Sequence, residues 1–131
     1  MSFRKDIGRF VDKATAAHDK ITRAATLELF SGVIKGTPVD TGRARGNYQV
    51  SVGAPAAGEL DREDPSGAQA IADVQQKTPP GAGQVTLLTN NLPYIEALER
   101  GSSTQAPEGM VRKNVDRVQS IVDAAIRKNK V

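Results

Sequence analysis

The sequence predicts an α+β domain, with a long N-terminal helix and a C-terminal helix packed on a small antiparallel sheet, and a long central loop or hairpin arm. Three observations predict it. Apolar residues recur at helical spacing over the opening of the chain and again near its end. Two short stretches, "NYQVSV" and "QVTLLTN", read as half-buried strands. Between them lies a small, polar, Pro- and Gly-rich segment that carries one short helical pattern.

In the first helix Phe3, Ile7, Phe10, Ala14, Ala17, Ile21 and Ala24 step by four and three, and the stripe continues through Leu27, Phe30 and Ile34. Gly8 weakens its first turns. Gly36 is a suitable stop, and Pro38 prevents continuation. Alanines along the seam admit a close neighbour, either the chain's own sheet or another subunit. Asp40, Thr41 and Gly42 have the residue types a turn demands, and "RAR" can form a single helical turn. Tyr48, Val50 and Val52 then alternate with Gln49 and Ser51 as a strand, ended by Gly53 and Pro55.

Residues 53–66 are small, polar and acidic, and read as a loop. Gly67–Lys77 fits a short helix capped by Ser66, with Ile71 and Val74 on one side. "TPPGAG" breaks it. The whole span 53–83 is long for a connection and suggests an extended loop or arm that orders in an assembly. In the second strand Val85 and Leu87 share a face. Pro93 suits the first position of a short helix, Tyr94, Ile95 and Leu98 form its apolar side, and Gly101 is its C′ stop. Tyr94 is expected in the core, with its hydroxyl at the boundary. Pro107 and Glu108 open the last helix, whose buried stripe is Val111, Val115, Val118, Val122 and Ala125. No internal repeat is present, and residues 1–131 read as one domain.

Composition narrows the function classes. The 131 residues are 38% hydrophobic but only 4% aromatic, so the core must be built from Ala, Val, Ile and Leu. A free monomer is then expected to be modestly stable, and self-association would bury more. The net charge of +3 comes from 18 basic and 15 acidic residues whose signs interleave. A dedicated nucleic-acid binder concentrates positive charge on one face or arm. The short basic tail Arg127–Lys130 suits a helix C-terminus and leaves a weak nucleic-acid-binding module as an alternative. Without cysteine there are no disulfides, thiolate chemistry or Cys-based zinc sites. No apolar run resembles a signal peptide or approaches the ~20 residues of a membrane span, so a soluble, intracellular chain without membrane contact is expected.

"VDTG" at Val39–Gly42 raises one catalytic possibility. Asp-Thr-Gly is the catalytic triplet of aspartic proteases, and a small homodimer could assemble a dyad from two copies of Asp40. Pro38 and Arg43 fit that role poorly, a second hydrophobic glycine motif is missing, and long helical ends do not suit an all-β protease. The alternative is a turn, in which Asp40 and Thr41 cap a helical turn and Gly42 relieves backbone strain. His18, the only histidine, stands on the first helix with no serine near it in sequence. Glu59, Asp61, Glu63 and Asp64 form the only carboxylate cluster but lack the glycine turn of a calcium loop, so a solvated acidic loop is expected. "GAG" at 81–83 lacks the strand and helix of a phosphate-binding fingerprint. No catalytic residue, metal or cofactor is expected.

Two stretches, "TPVDTGRARGNYQV" and "NNLPYIEALERGSSTQAPEGMVRKNV", resemble the small neck or tail-completion proteins of long-tailed phages. The matching positions are Pro38 to Arg43, Asn91 to Tyr94, Glu99 to Gly101 and Ala106 to Met110. Each motif alone is weak; their order and spacing together carry the likeness, which covers most of the chain outside 53–83. The resemblance implies a non-enzymatic virion protein, assembled in the host cytoplasm as a homo-oligomeric ring at the head–tail junction. Sixfold tail symmetry would make it a hexamer. Its partners would be head-closure, tail-terminator or tail-tube proteins, and nucleic acid would meet it only as the genome passes the ring lumen. On this reading Arg43, Arg45, Glu96, Glu99 and Arg100 are the candidate interface residues, because unlike charges set register between subunits. Asp40, Thr41, Gly42 and Gly101 are needed for backbone shape.

Overall fold

The computed structural model describes the backbone of residues 3–81 and 83–129, with side chains from residue 16 onward. Expectations for the side chains of Phe3, Ile7, Phe10 and Ala14, for Gly8, and for Lys130 lie outside the described residues. The elements are α1 (Phe3–Gly36), α2 (Arg43–Gly46), β1 (Gln49–Val52), α3 (Ala68–Lys77), β2 (Thr86–Thr89), α4 (Ile95–Glu99), α5 (Val111–Val115) and α6 (Val118–Lys128). The class is α+β, with helices at both ends and one two-stranded antiparallel sheet.

With 34 residues, α1 is ~51 Å long at 1.5 Å per residue. A compact domain of this size is about 36 Å across, so the rest of the chain cannot enclose α1. It acts as a spine. On one flank α3 bridges α1 and β1; on another, α5 and α6 lie against α1. The C-terminal helix thus covers the first helix and not the sheet. Ile34, Val74 and Met110 are fully buried, and Val33, Tyr48, Val50, Ala70 and Ala106 complete the core. Leu27 and Phe30 pack on it, so the expected α1 stripe meets the core from Leu27 onward. Tyr48 is the buried tyrosine. The Thr37 hydroxyl donates to the Val33 carbonyl at 2.8 Å and accepts from the Tyr48 hydroxyl at 2.8 Å. Burial pushes the Tyr48 phenol up to about 12.

In the sheet, Val50 pairs with Leu88 and Val52 with Thr86. Leu88 packs against the core, whereas Val85 precedes the strand and is 65% exposed. The expected pair Val85 and Leu87 is therefore not the inward one, because side chains alternate and Val50 draws its partner Leu88 inward.

The last helix departs from expectation in a similar way. It divides into α5 and α6 at Asp116–Arg117, and its buried side chains are Met110, Asn114, Ile121 and Ala125. Of the expected stripe only Ala125 is buried; Val111, Val115 and Val118 are 47%, 50% and 40% exposed. The cause is a polar interlock. Asn114 donates to the Met110 carbonyl at 2.7 Å and accepts from Arg117 at 2.9 Å. Its amide fills the notch left by Gly32, where a Cβ would stand 2.2 Å from Asn114 Oδ1. The buried amide is satisfied locally, so it takes the inward position and turns the valines outward.

Alanine in place of a helix-interior glycine ordinarily stabilises by about 1 kcal/mol. Here Gly32→Ala should instead destabilise by roughly 2 kcal/mol, because the buried amide must move. Adding Asn114→Ala should recover most of that loss. Denaturant melts of the two single variants and the double variant measure the coupling; additive losses would contradict the interlock.

The central segment is a long connection that carries α3 and is held against the body at several points. Asn47 Oδ1 accepts from the Leu60 amide at 2.7 Å. Arg62 donates to the Gly46 carbonyl and pairs with Asp73, both at 2.8 Å. Asp64, expected in a solvated loop, is buried and accepts from the Ala70 amide at 2.9 Å. It thereby satisfies one of the free donors at the start of α3. Ser66, the expected cap, contributes a weaker bond from the Ala68 amide at 3.2 Å.

Candidate functional site

The turn after α1 and the loops around α4 come together. Gly42 has φ +90, the left-handed region, and a Cβ there would lie 2.4 Å from Pro65 N. Thr41 Oγ1 accepts from the Arg43 amide at 3.2 Å and so starts α2. Asp40 is exposed, and no hydrogen bond to its carboxylate is present among the described residues. Gln105 holds the turn from the other side. Its side-chain carbonyl accepts from the Val39 amide at 2.9 Å, and its NH2 donates to the Val39 carbonyl at 3.1 Å. One side chain thus imitates a strand partner.

Across from the turn, α4 ends at a left-handed Gly101 with φ +93. The Gly101 amide donates to Leu98 and the Ser102 amide to Ala97, both at 3.1 Å, a Schellman closure that satisfies the last carbonyls. Glu99 then reaches forward. Its Oε2 accepts from the Met110 and Val111 amides at 2.9 Å each, and its Oε1 from the Arg112 amide at 3.0 Å. Arg112 also pairs with this carboxylate at 3.3 Å and donates to the Glu99 carbonyl. Burial alone would raise the Glu99 pKa. The three amides and the Arg112 side chain outweigh it and hold the carboxyl below its ordinary value.

The candidate interface residues divide into two groups. Arg45 donates to the carbonyls of Lys35, Thr37 and Pro65 at 2.7, 2.9 and 2.7 Å. It closes the C-terminal end of α1. Arg45 and Glu99 are thus occupied within their own chain. Arg43 pairs with Glu59 at 3.1 Å, and Arg100 with Glu96 at 3.3 Å, all four on the surface. Such exposed pairs contribute about 0.2–1 kcal/mol. The structure does not gather the five into one cluster.

What it does gather is a groove of about 360 Å³, with the 38–44 turn as one wall and Tyr94, Leu98, Ser103 and Gln105 as the other. Tyr94, expected in the core, lies here at 44% exposure, and Tyr48 is the tyrosine in the interior. Among the described residues Asp40 is the only carboxylate on the groove walls, and His18 is not among the lining residues. Among the described residues no group of His, Cys, Asp or Glu could hold a metal ion, and no helix is long and apolar enough to cross a membrane.

Sequence reasoning missed Gln105 and Asn114 and misplaced Asp64. Gln105 serves a backbone 66 residues away, and Asn114 and Asp64 are polar side chains taken inward by nearby partners, so no apolar periodicity marks them. The Asn90–Asn91 pair was equally mute: Asn90 donates to the Ala44 carbonyl at 2.9 Å, and Asn91 to those of Ala56 and Gly58 at 3.0 and 2.9 Å. Comparison with known protein families, with curated proteins and with solved structures finds no match to this chain.

Proposed function

We propose that the chain is a structural subunit of a tailed-phage virion: a neck or tail-completion protein that forms a ring, in the simplest case a hexamer, at the head–tail junction. Its partners are then further copies of itself and head-closure, tail-terminator or tail-tube proteins. The observation that carries the reading is the convergence of the motif stretches. The Pro38–Arg43 turn, Tyr94 and the 103–105 loop face one another across one groove, and Glu99 is bound to the Met110 amide. Residues that carry the likeness therefore act on each other's backbones as one architectural unit. Arg45, Glu99 and Gln105 are used as staples, which suits a part whose task is to hold a shape against neighbours. Mass spectrometry and electron microscopy of particles produced by the encoding genome test this. The chain should be present at a few to a dozen copies per particle, near the proximal end of the tail. Its absence from purified particles would refute the reading.

A further inference from the structure

Five apolar side chains, Val111, Val115, Val118, Val122 and Ile126, recur at steps of four and three along α5 and α6. They form a ridge whose members, apart from the half-buried Val122, stand 40–50% in water. Elsewhere on α1 lies a groove of about 340 Å³ lined by Thr22, Thr26, Leu29, Phe30 and Pro79, with the exposed Val85 at its rim. Ridge and groove occupy different flanks of the spine, because α6 covers the Ala24 and Glu28 side. Resting on the assembly reading above, we infer that the ridge of one copy seats in this α1–β2 groove of the next, in a head-to-tail contact.

Two observations favour a second copy, and this mode of contact. First, the row beside the ridge reads Arg112, Asp116, Gln119, Asp123, Arg127. A two-fold pairing of the helix with itself would bring Arg112 near Arg127 and Asp116 near Asp123, like against like. Second, Arg23 lines the groove with one NH2 held by the Gln75 carbonyl at 2.8 Å, so the acidic middle of that row meets a fixed positive charge there. Two different faces on one chain make a heterologous contact, which closes a ring when the rotation per step allows.

Two substitutions at exposed positions test this, Val115→Asp on the ridge and Val85→Asp at the groove. Circular-dichroism melts should show both folded, and sedimentation should show each monomeric where the unaltered chain assembles. Mixed one to one, they should form a discrete pair, since each retains the face the other has lost. Val115→Thr keeps the shape and should weaken assembly on the order of tenfold, a readout independent of the charged variants. Assembly of either Asp variant like the unaltered chain, or no pair in the mixture, overturns the contact and leaves self-assembly standing. An unaltered chain that stays monomeric at every soluble concentration overturns both.

Discussion

Gly42→Ala should cost more than about 3 kcal/mol and lower the melting midpoint by roughly 10–15 °C. Two effects combine. A left-handed backbone costs an L-residue about 1–2 kcal/mol, and Gly42 has φ +90. The new methyl would also stand 2.4 Å from Pro65 N, and overpacking typically adds about 1–3 kcal/mol. Neither backbone can easily withdraw. The Gly42 carbonyl accepts from both the Gly46 and the Asp64 amides at 2.9 Å, so moving it loosens α2 and the central segment together. Asp40→Ala is the informative contrast. Its carboxylate is exposed and takes no hydrogen bond among the described residues, so the change should stay within about 0.5 kcal/mol. Thermal and urea melts of the two variants separate a glycine needed for shape from an aspartate needed for chemistry. A Gly42→Ala protein as stable as the unaltered chain would mean that the turn is not what joins α1 to the central segment.

The elements that local chemistry dictates were legible in the sequence. Gly36 and Pro38 end α1, Asp-Thr-Gly turns the chain, Tyr48 just before β1 and Val50 within it face inward while Val52 is exposed, and Gly101 closes α4. The errors arise where two neighbouring registers both look apolar. On the last helix, Val111, Val115 and Val118 compete with Met110, Asn114 and Ile121. Periodicity favours the valines because it ranks asparagine as polar. Packing decides otherwise, since the Asn114 amide finds its partners on its own helix and its space at Gly32. On β2, Val85 and Leu87 compete with Leu88, and only the pairing with Val50 decides. In both places the missing information is non-local: which residue stands opposite. The intrachain partners of two interface candidates were hidden for the same reason. Charge and position suggested Arg45 and Glu99 as surface contacts, but nothing near them in sequence reveals that backbone carbonyls and amides elsewhere already engage them.

Glu99→Gln should cost about 2–3 kcal/mol at neutral pH, with the loss confined to acid-sensitive stability. The carboxylate accepts from three consecutive amides at the start of α5. Bonds to a charged acceptor are worth about 1.5–3 kcal/mol; an amide keeps the shape but turns one acceptor into a donor facing other donors. The pH dependence follows from the lowered Glu99 pKa. Folding favours the ionised form, so its contribution is complete above the ordinary value of 4.5 and is lost as pH falls through the lower folded value. The gap between the unaltered chain and Glu99→Gln should therefore be widest near neutrality and close progressively below about pH 4.5. Chemical denaturation across that range measures it, and a gap that stays constant would show that the carboxylate's charge is not what fastens α4 to α5. Arg100→Gln, which removes only an exposed pair with Glu96 at 3.3 Å, should leave stability within error of the unaltered chain.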